Sequence, residues 1–336
     1  MRFRSGRAGR ASAARNIAAV PGVHAVMTSF VRTFAVACCV ALLGAGPAPR
    51  VVDLMPAYWA AWDANPPGAA RAHAIATAVV AAHPEVYGAE FASLRDPASL
   101  ERYLARVAPD AAAVRAASSA VPLELPADIA QIRSALPDFA LEGITIYVVP
   151  SFGHYNGRVR PVAGGLALFL GPDGMVQGEG AQPNIARTVV HELFHIYQFQ
   201  MHPEMDPSAA TLWMAAIGEG QAVYASQVIT GASTDDALMS AEYHSPSVAT
   251  TKALACGIRD RADSRNPADF ETYLTGGVHP PNLPDRGAYY IGYLIVHDLG
   301  KRYTLSQMAK LSIAAAEPQV RSRLDQLCTT GTLAAS

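Results

Sequence analysis

Between Val189 and Phe199 the chain reads VVHELFHIYQF, which sets His191, Glu192 and His195 inside an apolar and aromatic run. A helix is expected from Asn184 to Gln200, apolar on several sides. Residues four apart on a helix project from one face about a turn apart, so the imidazoles of His191 and His195 converge. Burying two histidines and a carboxylate without a partner is costly, and a metal ion removes that cost. Glu192 is turned about 100° from His191 around the helix, so it faces a water nucleophile rather than joining the histidines as a ligand. This is the H-E-x-x-H arrangement, in which two histidines hold zinc and the glutamate is the general base. The competing reading is a helix whose histidines are satisfied core or surface groups.

An open catalytic zinc site needs three protein ligands. After the turn-rich QMHPEMDPS comes a second helical run, TLWMAAIGEGQAVYASQVI, with Glu219 in an apolar setting. An antiparallel helix returning after that turn brings Glu219 level with the two histidines, at a rise of about 1.5 Å per residue. Glu204 and Asp206 in the turn, His202, and Glu242 with His244 farther on are the weaker competitors.

The chain has 336 residues, 51% hydrophobic and 16% charged, with a net charge of −2, which fits one globular domain behind an N-terminal extension. No basic stripe interleaved with aromatics is present, so nucleic acid is not an expected partner. Arg2, Arg4, Arg7, Arg10, Arg15 and Arg32 precede the apolar FAVACCVALLGA, Phe34 to Ala45. That pattern is a basic leader and secretory signal over residues 1–48, too short to span a bilayer, with Met27 as an alternative start. The mature protein is expected to be exported, periplasmic or extracellular, with no stable membrane span. Cys38 lacks a good lipobox leucine, which leaves a lipoprotein or anchored form as the lesser alternative. Cys256 and Cys328 then remain, either as one disulfide or as two buried thiols.

Residues 49–140 read as a helical segment: Ala-rich stretches without strand-like alternation run from Val51 to Leu136, broken at NPPG, HPE and AVPLELP. A strand follows at GITIYVVPS, then a Gly-rich connection, then a second strand at LALFLG ended by the turn GPDG. Helix returns from Asn184 onward, and residues 141–336 form the catalytic region. The fold class is α+β, mostly α, with a small β-sheet and an active-site helix preceded by a helical segment.

HELFH followed by GEGQAVY resembles the gluzincin metallopeptidases, in which a second helix supplies a glutamate ligand. Together with RGAYYIGYLIVHDL the pair is similar to a family of bacterial predicted Zn-dependent proteases, over roughly Ile144 to Leu311. The resemblance implies a zincin-like domain binding Zn2+ through His191, His195 and Glu219, with Glu192 as base and a peptide or protein as substrate. By analogy with related folds it also implies that the GLALFLG strand runs along the cleft as an edge and binds extended peptide. Ala288 stands where those relatives often have glycine, and Val223 where thermolysin-like enzymes carry an aspartate behind a histidine.

In AYYIGYLIVH, Tyr289 and Tyr293 lie one helical turn apart. A phenol aimed at the scissile carbonyl donates to a developing oxyanion, and both tyrosines are candidates; the alternative is core packing with satisfied hydroxyls. Gly292 allows close approach of another backbone, expected to be the histidine-bearing helix. The sequence thus points to a zinc-dependent peptidase. An exported metal-binding or assembly protein without turnover, or a zinc hydrolase of a non-peptide amide, has the same ligand set.

Overall fold

The β-branched run at GITIYVVPS becomes one of two inner strands of a four-stranded sheet. The computed structural model of the chain describes residues 48–333 apart from 163–164, 204–208, 239–242 and 276–282. The leader, Met27, Glu204, Asp206 and Glu242 lie outside the described residues. The strands are β1 (Arg50–Asp53), β2 (Thr145–Val148), β3 (Gly157–Val162) and β4 (Gly165–Leu170), in the order β1-β2-β4-β3. β1 and β4 both pair parallel to β2, with Arg50 opposite Thr145 and Thr145 opposite Ala167. β3 runs antiparallel to β4, from Gly157 opposite Leu170 to Val162 opposite Gly165. Side chains on both faces of an inner strand are covered, and Ile146, Val148 and Ala167 to Leu170 are accordingly buried.

The first group of helices is α1 (Met55–Ala64), α2 (Ala69–Ile75), α3 (Pro97–Val107), α4 (Ala111–Ala135) and α5 (Pro172–Glu179). Then follow α6 (Ile185–Met201), α7 (Leu212–Thr230), α8 (Thr234–Leu238) and α9 (Val248–Arg259). The last are α10 (Pro267–Leu274), α11 (Gly287–Leu299), α12 (Leu305–Ala309) and α13 (Ile313–Thr330). The protein is α+β and mostly α, as its sequence suggests. One apolar cluster joins the sheet to α1–α6, a second joins α7, α9, α11 and α13, and α6 and α7 pack together where the two meet. Among the described residues no helix is long and apolar enough to cross a membrane.

Four local readings are corrected. Val51 and Val52 belong to a strand, not a helix, because they complete the outer edge beside β2. The Gly-rich connection contains β3, whose Gly157 and Pro161 obscure the Arg-Val-Arg alternation; proline is tolerated there because the strand is an edge. GPDG opens α5 rather than closing a turn, since Pro172 and Asp173 in a first turn favour a helix start. AVPLELP does not break the chain: α4 passes through Pro122 and Pro126. Val114, Ala117, Val121, Leu125, Ile129 and Ile132 form an unbroken buried stripe along it, while Pro126 stays exposed on the other face. Packing of that stripe outweighs the roughly 3 kcal/mol cost of each proline.

Cys256 of α9 and Cys328 of α13 form a disulfide across a sequence separation of 72. Closing a loop of that length removes unfolded-state entropy worth about 4 kcal/mol. Reduction by a thiol is expected to lower the melting temperature by roughly 5–15 °C, read by calorimetry with and without reductant. An unchanged melting temperature would mean that the α9–α13 packing alone holds this end of the chain.

Candidate metal centre

Helix α6 starts at Asn184, whose side chain accepts the Arg187 N–H at 3.1 Å, and Val189, Leu193 and Ile196 bury its apolar flank. That anchoring leaves His191 and His195 facing α7. Their Nε2 atoms are 3.2 Å apart, and each lies 3.3 Å from Oε2 of Glu219. His191 and Glu192 are buried, whereas His195 and Glu219 are partly exposed, so the cluster opens on one side. The return of α7 after the turn brings Glu219 level with the histidines, as helix geometry predicts.

A tetrahedral zinc with bonds of about 2.0–2.2 Å separates neighbouring donor atoms by about 3.3 Å. The triangle of 3.2, 3.3 and 3.3 Å matches that spacing. Glu219 Oε2 is buried, and the two imidazole nitrogens at 3.3 Å are the polar groups that face it, so a cation seated between the three donors would satisfy it. The residues therefore fit a metal ion, and the histidine, histidine and glutamate donor set is one that zinc accepts.

The electrostatics divide the two glutamates. Burial pushes the Glu192 carboxyl up to about 7, against the opposing pull of His195 and Arg158. Burial raises Glu219 as well, but the facing imidazoles of His195 and His191 outweigh it and hold that carboxylate well below its usual range. Burial alone would lower both histidines. It prevails for His191, while Glu219 and Glu192 together hold His195 up at about 9. Two carboxylates of one site thus differ, one poised to titrate and one kept as an anion.

Two glycine contacts set this geometry. Gly292 of α11 meets Gly220 of α7 so closely that a Cβ on Gly292 would overlap the Ala216 carbonyl. Gly292 thus does permit a close backbone approach, but to the Glu219-bearing helix, not to the histidine-bearing one. Gly157, where β3 begins, lies against Glu192, and a Cβ there would overlap the Glu192 side chain. The edge strand therefore passes directly beside the carboxylate. The GLALFLG strand, β4, is not that edge, since β2 and β3 pair with it on both sides.

The two tyrosines part company. The Tyr289 ring stacks on His191 at 6.2 Å between centroids, and its phenol is within electrostatic reach of Glu219. Burial first, and then the Glu219 carboxylate, raise the phenol well above its ordinary value, so it stays protonated. Tyr293 is not brought to the cluster: its hydroxyl donates to Gln227 Oε1 at 2.8 Å and lies 3.4 Å from Thr234 Oγ1. One helical turn, which the sequence does not orient, separates a tyrosine at the site from one that packs elsewhere. His202 is not a member of the donor cluster, and its Nε2 lies 2.8 Å from the Ala309 carbonyl.

Gln198 is a residue that the motif does not flag. Its Oε1 lies 2.8 Å from His195 Nδ1, and its Nε2 donates to the Gly218 carbonyl at 3.0 Å and to Gln221 Oε1 at 2.9 Å. An acceptor on Nδ1 places the His195 proton there and leaves Nε2 free to act as a ligand. The signal in the sequence is its position three residues after His195, one turn along the same face.

An H-E-x-x-H helix whose two histidines face a glutamate on a second helix, in an α+β protein with a small sheet, is the arrangement of candidate donors that the zinc-protease type of protein carries. The family described as Predicted Zn-dependent protease (DUF2268) matches residues 150–317, half of the chain, and the chain belongs to that family. The match includes β3, β4 and every residue of the cluster. No curated protein and no solved structure matches the chain.

Proposed function

We propose that the protein is a zinc-dependent peptidase that hydrolyses peptide bonds with Glu192 as general base. The observation that carries this reading is the donor triangle of His191, His195 and Glu219, with the buried Glu219 Oε2 facing both imidazoles. A zinc ion held there supplies Lewis acidity, polarising a carbonyl and lowering the pKa of a water. Glu192, a buried carboxyl beside the donor cluster, would accept a proton from the attacking water and return it to the leaving amine. Tyr289, protonated and stacked on His191, donates to the oxyanion that develops on the substrate. The edge strand β3, beside Glu192, offers main-chain hydrogen bonds to an extended peptide. The basic and apolar leader and the Cys256–Cys328 disulfide support action outside the cytoplasm.

The test is metal analysis of the purified protein beside a peptide-cleavage screen. About one zinc per chain is expected, with cleavage lost to a chelator and regained on adding zinc. A protein that neither carries zinc nor takes it up would overturn the reading.

Gln198→Leu keeps the side-chain bulk but removes the acceptor on His195. Zinc affinity is expected to fall by about 10- to 100-fold in chelator competition, the usual effect of losing a group that orients a metal ligand. Gln198→Glu restores the acceptor on His195 but not the donor to Gly218 and Gln221, and is expected to recover part of the loss. Wild-type affinity in the leucine variant would show that packing alone orients His195.

A further inference from the structure

An apolar cavity of about 290 Å³ borders the cluster, and His195 and Glu219 form part of its wall. Trp213 and Ile217 of α7 and Met308 of α12 are its buried walls, while Met214, Phe270 of α10 and Ile313 of α13 are half-buried around it. Its other polar side chains are turned to one another and to the backbone. Gln198 is occupied by His195, Gly218 and Gln221; Gln221 also donates to the Met308 carbonyl at 3.3 Å; His202 is at the Ala309 carbonyl. A ligand entering here meets hydrocarbon and aromatic surface, with polar chemistry only at the side where the candidate metal ligands stand.

We propose that this cavity is a substrate-binding subsite for one large apolar side chain, aromatic or long aliphatic, of the peptide cleaved at the adjacent cluster. The inference rests on the peptidase reading for the word substrate, but not for the binding itself. Size supports the occupant: an apolar cavity of about 150 Å³ admits a benzene, so 290 Å³ accommodates a phenylalanine, leucine or larger side chain. Apolar groups left half-exposed around a concavity are what a ligand covers with gain, by removing their surface from water. The shared wall sets the reach: a side chain in the cavity leaves its own backbone beside His195 and Glu219, where a scissile bond is needed.

Trp213 provides a readout that needs no catalysis. The chain has three tryptophans, and Trp59 and Trp62 lie in the other apolar cluster. In protein labelled with 5-fluorotryptophan, N-acetyl-phenylalaninamide is expected to shift the Trp213 fluorine resonance and leave the other two in place, while N-acetyl-alaninamide shifts none. In a peptide library, kcat/KM is expected to favour a bulky apolar residue beside the cleaved bond over alanine by about 10- to 100-fold. Ala316→Trp, at the half-buried wall on α13 and outside the metal cluster, is expected to abolish that preference and the resonance shift with zinc content unchanged.

A shift of Trp213 without cleavage of any peptide would remove the peptidase reading and leave the subsite standing. Cleavage without apolar preference, with Trp213 unmoved in the wild-type protein, would overturn the subsite and leave the peptidase. A response to a fatty acyl amide but not to the phenylalanine amide would overturn the assignment to a peptide side chain. These outcomes are read on the wild-type chain and hold whether or not the tryptophan variant folds.

Discussion

Glu192→Gln is expected to leave zinc bound and to lower peptide turnover by about 10²- to 10⁴-fold, the usual worth of a general acid–base group. Glutamine has nearly the same shape, so it fits where the Glu192 side chain lies against Gly157, and the three candidate ligands are untouched. What is lost is the carboxylate that accepts a proton. The same substitution is expected to stabilise the metal-free protein above neutral pH. Burial raises the Glu192 pKa from 4.5 to about 7 on folding, so the folded state holds a proton that the unfolded state has released. Stability present below about pH 4.5 is lost as pH rises through about 7, and glutamine removes that loss. At pH 8 the chelated variant is expected to melt several degrees above chelated wild type, and at pH 4 at about the same temperature. Turnover unchanged with zinc in place would put the base elsewhere.

Glu219→Gln is expected to weaken zinc binding on the order of 10²- to 10³-fold, because it removes the one anionic donor among the three candidate ligands. Far-UV circular dichroism is expected to stay unchanged, since α7 is held by its crossing with α11 at Gly220 and Gly292 and not by the carboxylate. Glu242→Gln is the matched control, expected to bind zinc as tightly as wild type. If the control loses zinc and the Glu219 variant keeps it, the third donor comes from another segment and the α6–α7 pairing has been misassigned.

The cluster was legible because its information is local. His191, Glu192 and His195 share two turns of one helix, and Glu219 needs only one short antiparallel return to join them. The parts that were not legible depend on partners distant in the chain. Val51 and Val52 carry too little pattern to declare a strand until β2 lies beside them. The Arg-Val-Arg alternation of β3 is hidden by Gly157 and Pro161, and it becomes meaningful only as the free side of β4. Pro122 and Pro126 argue locally for a break, and the stripe from Val114 to Ile132 overrules them only when packed. Tyr289 and Tyr293 are equivalent by spacing, and the rotation of α11 against α7 assigns the first to Glu219 and the second to Gln227. Fold class follows from summed local preference, whereas strand order and side-chain direction follow from contacts across the chain.

The position of β1 also affects the order in which the molecule can fold. Among the described strands β1 is made first, yet the one strand it pairs with, β2, arrives after α1–α4 have all been synthesised, and β2 in turn waits for β4. Parallel pairing over so long a separation is slow, because the closure entropy of the intervening chain is lost before any contact repays it. Helices α6 and α7 are joined by a short connection and face no such delay. The donor triangle is thus expected to gather early in folding, while β3, the strand beside Glu192, is fixed only once the sheet has closed. A chain caught between those stages would have its three candidate donors gathered before the strand beside Glu192 is in place, so on the peptidase reading binding of metal would precede alignment of a peptide.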